Sequence, residues 1–491
     1  MVAVRGPERL ETGALCAWLR ALDAAVGRGE GVRAPLMAPP AILAAALSQG
    51  ATGLREAVLA RLAVAAVTAG VSRLEVHLEH PTLIEALLES LSAHPGHITS
   101  LTLTLGPRTA LGGNLSEALR GMTALTSLTL TPAATDAHLA ALADASPPLD
   151  FLDVAYCPAV TDSGVRALLG VSEEPRTVRE VIRCSGEGVR QRPAATLHTI
   201  NLWGTGVTTR GCVLLLSACP DLAALTCRWS GEALDLLVRG GRATPLALSQ
   251  LLLSETNLPP LSAVAALCPH LTSLVARRPT EALGVGQVLG AAASLTALTL
   301  LQFQPDPQEW LPKVPVPHLT YLHLSLLEPR PVHLAHLARD CPGLTHLYLE
   351  GVTPTLPLPA PPTPTSRLQS LRLVTPPTMS HVIEPEVVVW ALVWAADASS
   401  LDFGSCKDLA DQHLAQALTR GALKQVEDLR LSGAAHVTDA AIDDLLAACP
   451  RLRRLALKML PKERLAELET LKLKIRNQNL DLDLITYGWK F

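Results

Sequence analysis

The sequence predicts an α/β solenoid, a stack of short coils that each consist of a strand followed by a helix. Three observations carry this expectation. A Leu-x-x-Leu-x-Leu phrase recurs along most of the 491-residue chain, mostly at intervals of about 23 to 27 residues. Four occurrences follow a Cys-Pro pair: "LLLSACPDLAALTC" from Leu214, "AALCPHLTSLVA" from Ala265, "ARDCPGLTHLYL" from Ala338 and "LAACPRLRRLAL" from Leu446. Finally, 48% of residues are hydrophobic but only 3% are aromatic. Leu, Ala and Val must therefore build the core, which suits thin repeated layers better than one thick globular centre.

The strands come first. Alternation of Leu-x-Leu places both leucines on one face of a short strand. The rungs are Leu74/Val76, Leu101/Leu103, Leu128/Leu130, Leu152/Val154, Ile200/Leu202, Leu225/Cys227 and Leu251/Leu253. They continue through Leu274/Ala276, Leu298/Leu300, Leu322/Leu324, Leu347/Leu349, Leu371/Leu373, Leu401/Phe403, Leu429/Leu431 and Leu455/Leu457. Helices follow the strands. Stretches such as "TLIEALLESL" and "DAAIDDLLAAC" have apolar residues at helical spacing. One strand and one helix cannot bury an apolar face alone, whereas stacked neighbours can. Cys-Pro marks the hand-over from helix to next strand, because proline has no N–H and cannot continue a helix. The period is that of leucine-rich repeats.

The pattern resembles the cysteine-containing leucine-rich-repeat family over residues 72–458. Its fullest match is "LDFLDVAYCPAVTDSGVRALL" at 149–169, with Leu149, Leu152, Val154, Cys157, Val160-Thr161-Asp162 and Gly164 on the consensus. "LDFGSCKDLADQHLAQAL" (401–418) and "LRLSGAAHVTDAAIDDLLAACPRL" (429–452) come next. Thr161 and Thr438 are expected to cap helices, their side-chain oxygens accepting orphan N–H groups. Thr205, Ser230 and Ala434 stand where the family has its turn cysteine, so those coils should be less uniform. The resemblance implies a curved horseshoe of about fifteen coils, with parallel strands on the concave face and helices on the convex face.

The same resemblance implies a role in ubiquitin ligases, where many such proteins are substrate receptors. Residues 8–66 read as helical. "LMAPPAILAAAL" (36–47) is similar to an F-box opening. "ALCAWLRAL" (14–22) followed by "APPAIL" (38–43) is similar to an elongin C box and a cullin-contacting segment, although Thr12 stands where the box has leucine. Leu15, Cys16, Leu19, Pro40, Ile42 and Leu43 are the candidate contacts for a cullin adaptor, Skp1-like or elongin C. Alternatively, these helices only cap the first coil. The division expected is 1–70 as cap or adaptor module, 71–458 as solenoid and 459–491 as C-terminal cap. In the last of these, Leu480, Leu482 and Leu484 alternate as an edge strand would.

Three stretches interrupt the rhythm. "SEEPRTVREVIRCSGEGVRQRPA" (172–194) is a degenerate coil or a polar loop. "TPTLPLPAPPTPTS" (353–366) and "QPDPQEWLPKVPVP" (304–317) should be extended turns in place of helices.

Period-two geometry also picks out the residues that flank the strand leucines and face a partner. Early coils offer only Ser and Thr. Next come Trp203 and Arg228, then Tyr321, His323, His346, Tyr348, Glu350 and Arg372, and last the charged Asp402, Asp428, Arg430, Arg454 and Lys458. Of four tyrosines in the chain, two fall with two histidines at facing positions one coil apart. Tyr and Arg are favoured binding anchors; alternatively these rings only fill the concavity and stabilise it by cross-strand stacking. A protein substrate on this face is the expectation, and an intracellular scaffold or inhibitor is the alternative class.

Other functions find little support. Net charge is −4, from 41 basic and 45 acidic residues, so neither nucleic acid nor an anionic membrane is expected as a partner. The ten cysteines show no C-x-x-C pair or zinc spacing and read as small buried thiols. "GVGQVLG" (284–290) lacks the Lys-Ser/Thr of a phosphate loop. No catalytic constellation, cofactor motif, signal core or long apolar span appears. The expectation is a non-enzymatic cytoplasmic or nuclear protein without a cofactor.

Overall fold

The computed structural model describes residues 56–78, 81–106, 113–171, 180, 196–242, 244–253, 264, 267–277, 294–303, 316–357, 366–374, 382–460 and 483–488. The chain comprises two compact units, Met1–Leu252 and Leu253–Phe491. The first runs α1 (Glu56–Thr68), β1 (Arg73–Leu78), α2 (Pro81–Ala93), β2 (Ser100–Leu105), α3 (Gly113–Gly121), β3 (Ser127–Thr131), α4 (Asp136–Ala145), β4 (Phe151–Asp153), α5 (Asp162–Leu169), β5 (Thr199–Asn201), α6 (Thr209–Ala218), β6 (Ala224–Thr226), α7 (Ser230–Arg239) and β7 (Gln250–Leu253). The second runs β8 (Ser273–Arg277), β9 (Ala297–Phe303), β10 (Tyr321–His333), α8 (Leu334–Asp340), β11 (His346–Thr355), β12 (Ser370–Val374), α9 (Pro385–Trp394), β13 (Ser400–Phe403), α10 (Asp411–Thr419), β14 (Asp428–Ser432), α11 (Asp439–Ala448), β15 (Arg454–Leu460) and β16 (Asp483–Gly488).

In each unit every strand pairs in parallel with the next, and the register joins the predicted rungs. Leu74, Leu101, Leu128, Leu152, Ile200, Leu225 and Leu251 line up in the first unit. Leu274, Leu298, Leu322, Leu347, Leu371, Leu401, Leu429 and Leu455 line up in the second. All of these are buried, each contributing about 1.5–3 kcal/mol. β16 adds a further rung. It begins at Asp483 and sets Leu484 opposite Leu455. Leu480 and Leu482, expected in the same strand, lie outside the described residues.

The Cys-Pro corner has one geometry throughout. The N–H groups of Cys219, Cys268, Cys341 and Cys449 donate to the carbonyls of Leu215, Val264, Leu337 and Leu445, closing the last helical turn at 2.8–2.9 Å. The leucine three residues on then donates back to the cysteine carbonyl, at 3.4, 3.2, 3.2 and 3.1 Å. The proline thus occupies the second position of a tight turn, where its fixed φ suits. All four thiols are buried.

Two ladders between coils have no counterpart in the sequence reading. Threonine precedes the strand in a recurring Leu-Thr-x-Leu. The hydroxyls of Thr126, Thr320 and Thr345 donate to the carbonyls of Thr99, Thr296 and Thr320 at 2.9, 3.1 and 2.9 Å. The second ladder runs between helix starts. Asp136 accepts both the N–H and the hydroxyl of Thr161, at 2.7 and 2.6 Å. Asp162 does the same for Thr208, at 2.8 and 2.5 Å, and Asp411 for Thr438, at 2.8 and 2.6 Å. The expected caps divide accordingly. Thr161 accepts from the Ser163 N–H at 3.2 Å, but the Thr438 side chain makes no cap bond to its own helix. Its hydroxyl donates to Asp411, but Thr161 makes the equivalent bond to Asp136 and still caps, so that bond does not account for the missing cap.

At the turn position the partners vary from coil to coil, for cysteine as for its substitutes. Cys157 donates to Leu130 of the preceding coil at 3.1 Å, and Cys157 and Cys406 also bond Ala155 and Gly404 of their own coils. Thr205 and Ser230 turn back to Leu202 and Cys227 of their own coil, at 2.8 and 2.9 Å. The proline-rich stretch begins extended: Thr353, Pro354 and Thr355 continue β11 and pair with Pro331, Val332 and His333 of β10. Residues 358–365, most of 304–317, 284–290, and 172–194 apart from Glu180 lie outside the described residues. So do the adaptor candidates Leu15, Cys16, Leu19, Pro40, Ile42 and Leu43.

Candidate partner-binding face

Burial alternates along the strands, strictly on β2 and β3 and over the first five residues of β11, His346 to Glu350. The leucines turn inward, and their neighbours form a half-exposed strand face. In the second unit the register sets Tyr321 opposite His346 and His323 opposite Tyr348. Arg372 lies beside Tyr348, Asp402 beside Arg372 and Arg430 beside Asp402. One spacing rule therefore brings Tyr321, His323, His346, Tyr348, Glu350 and Arg372 into a single cluster.

The four rings pack on one another. Tyr321 meets Tyr348 edge to face, with centroids 5.5 Å apart, and His323 meets Tyr348 likewise at 5.9 Å. His346 lies 6.0 Å from Tyr321 and 6.3 Å from Tyr348. Edge-to-face pairs at these distances are attractive. His346 Nδ1 is 2.9 Å from the Thr345 hydroxyl. That hydroxyl donates its own proton to the Thr320 carbonyl, which leaves it an acceptor toward Nδ1.

Glu350 connects the rings to the charged strip. Its Oε2 is 3.7 Å from His323 Nε2, beyond hydrogen-bond reach, and its Oε1 is 3.4 Å from Arg372 Nη1. Burial depresses the His323 pKa, Glu350 opposes this, and Arg372 adds to the depression. Burial, with Tyr348 and Glu350 nearby, raises the Tyr321 phenol, and a hydrogen bond with Thr299 opposes it.

Arg372 is 46% exposed and also faces Asp402, at 3.6 Å. Burial lifts the Asp402 carboxyl, against the pull of Arg372, Lys458 and Arg430. Arg430 grips Asp428 with two bonds of 3.1 and 2.7 Å, and Arg454 reaches the same carboxylate at 3.3 Å. Arg430 is thus more firmly committed within the chain than Arg372, whose two ionic contacts are longer.

Trp203 and Arg228 belong to the first unit. Two residues beyond the paired Asn201 and Thr226, they stand on neighbouring coils. Asn201 Oδ1 accepts the Trp203 N–H at 3.1 Å and its amide donates to Asp153 at 3.1 Å, holding the turn. Arg228 lies over the Trp229 ring, 5.3 Å from its centroid. Tyr156, on the coil before, lies outside the positions that flank the strand leucines. It is 63% exposed, has a left-handed backbone (φ 59°), and its N–H donates to the Trp203 carbonyl at 2.6 Å. The clue was positional: Gly204, Ser405 and Gly433 hold the matching left-handed turn elsewhere.

Among the described residues no group of three or more His, Cys, Asp or Glu could hold a metal, and no helix is long and apolar enough to cross a membrane. The strand ladder and its register define the protein as a leucine-rich-repeat solenoid.

No protein-family model matches the chain, and no curated protein matches it. Among solved structures it is similar to the plant peptide hormone receptor RGFR1 in complex with RGF2, at 13% identity over 87% of this chain and 72% of that one, with a TM-score of 0.33. It is also similar to TLR13 in a complex with ssRNA13, at 15% identity over 81% of this chain and 54% of that one, with a TM-score of 0.40.

Proposed function

We propose that this protein binds a protein partner on the strand face of its second unit, and that it serves as the substrate-recognition subunit of a cullin-type ubiquitin ligase. One observation carries the binding role: Tyr321, His323, His346 and Tyr348 meet on adjacent strands as half-exposed rings, with Arg372 exposed beside them. Two of the chain's four tyrosines meet two histidines here. Packed rings lose little rotamer freedom on binding, and Arg372 supplies directional donors at their border. Trp203 and Arg228 form a second, smaller contact. The ligase role rests on the sequence of residues 14–22 and 36–47, with their resemblance to adaptor-binding boxes.

The binding role is tested by replacing Tyr321, His323, His346 and Tyr348 with Ala. Partners captured by the wild-type chain should be lost or weakened at least about tenfold, a change of about 1.4 kcal/mol. Wild-type affinity for every partner in a folded variant would exclude this face. The ligase role is tested by affinity purification of the full chain beside one lacking residues 1–66. A Skp1-like adaptor or elongin C should accompany only the full chain. If both forms fold and carry the same partners without an adaptor, the protein is a scaffold.

A further inference from the structure

We propose that Cys212 and Cys227 are an oxidisable pair, which a peroxide converts to an intrachain disulfide tying α6 to the end of β6. Cys212 lies on the inward side of α6, and Cys227 fills the second rung position after β6, where most coils carry leucine. Both are buried, at 0% and 1% exposure. Their sulfurs stand 3.0 Å apart, with the Cys212 S–H donating to Cys227. A disulfide bond is about 2.05 Å long, so the pair needs to close by only about 1 Å.

Within the pair the two thiols are shifted in opposite directions: its hydrogen bond to Cys227 and burial push Cys212 well up. Burial pushes Cys219, Cys268 and Cys341 up to about 12, and Cys157 and Cys449 to about 11. Cys227 shifts downward instead, because the Cys212 S–H and the N–H groups of Trp229 and Arg228 stabilise its thiolate against burial. Thiolate character and access together decide which sulfur a peroxide oxidises, so this buried pair reacts when the coil opens locally.

The chemistry balances with hydrogen peroxide as oxidant. The Cys227 thiol gives up its proton and the thiolate attacks one peroxide oxygen. The O–O bond breaks, leaving a sulfenic acid on Cys227 and hydroxide, which takes the released proton. Cys212 then attacks the sulfenic sulfur, the S–S bond forms, and water leaves with the Cys212 proton. Two thiols and one peroxide become one disulfide and two waters. The bond would anchor the residue immediately before Arg228 and Trp229, so the turn bearing those side chains would respond to the oxidation state.

The test treats the native full-length protein with hydrogen peroxide, then quenches, denatures, alkylates and digests it with trypsin. Residues 211–228 form one peptide containing Cys212, Cys219 and Cys227. After oxidation it should be lighter by two hydrogens and take one alkyl group, on Cys219, with dithiothreitol restoring all three. Cys219→Ser should keep the link, and Cys212→Ala or Cys227→Ala should abolish it. The oxidised protein should also melt at a higher temperature, reversibly. The proposal is overturned if the native chain stays fully alkylated after peroxide, if Cys219→Ser removes the link, or if the link forms only after unfolding in urea.

Discussion

Tyr156 carries a cost of about 1–2 kcal/mol for a left-handed backbone on a side chain with a Cβ, at a turn where matching coils place Gly204 and Gly433. Tyr156→Gly should therefore leave the melting midpoint in urea unchanged or raise it. A loss above about 1 kcal/mol would show that the ring itself supports the fold. Gly204 answers to the same ring. A Cβ there would lie 3.1 Å from Tyr156 Cδ1, at a φ of +72°. His138 offers a pH test. Its Nδ1 accepts the Thr135 N–H at 3.1 Å, and burial holds its pKa below the ordinary 6.5. Between the folded and unfolded values the unfolded chain binds more protons, so stability is full above pH 6.5 and falls as the pH drops through the folded value. His138→Gln keeps an acceptor at that capping position and removes the titration. Melts at about pH 7.5 and about pH 5 should show a smaller acid loss for the variant than for the wild type. Equal losses would assign the effect to other groups, such as His323 and His336, whose values are also depressed.

Between elements, the Asp–Thr ladder couples one helix start to the next. Asp162 carries two bonds to Thr208, and charge-assisted bonds of this kind contribute about 1.5–3 kcal/mol. Asp162→Ala should cost stability in that range by urea titration. In a cycle with Thr208→Val the two effects should fall short of additive by more than about 0.5 kcal/mol. Additive effects would mean that the aspartate acts on its own helix alone. β10 and β11 show a second kind of coupling. Their register shifts between Ser325 and Arg330, and the two strands pair again beyond it. Gly351 permits this, because a Cβ there would sit 2.6 Å from the Leu326 carbonyl oxygen at a φ of +69°. Period-two alternation located the first half of each strand. The second half depends on backbone closeness across coils, which Leu-x-Leu spacing does not report.

For the molecule as a whole, the ends of the stacks matter because a solenoid presents unpaired strand edges unless something covers them. β16 pairs with β15 and brings Leu484 and Ile485 against Leu455 and Ala456. Deleting residues 461–491 should expose that edge, lower the melting temperature and produce oligomers visible by light scattering. A monomeric deletion variant of unchanged stability would remove β16 from the role of cap. The candidate face was legible from sequence because one coil of about 25 residues sets facing positions side by side: Tyr321 and His346 differ by that interval, and so do His323 and Tyr348. Glu350 and Arg372 were placed on the face by the same rule. Their contact, the isolation of His323 Nε2 and the tight grip of Arg430 on Asp428 depend on side-chain reach, which the rule does not contain.

By itself the sequence determined the repeat, its rungs and the inward face of each strand, because leucine spacing and strand geometry share a period. It also determined the corners, because proline ends a helix whatever surrounds it. Tertiary structure alone decided how each coil locks to its neighbour. Asp162 and Thr208 are 46 residues apart, and no local pattern pairs them. It likewise brought Cys212 and Cys227 sulfur to sulfur and set an exposed tyrosine in a glycine's conformation. Those outcomes depend on how closely two coils stack, a distance set by every buried side chain between them.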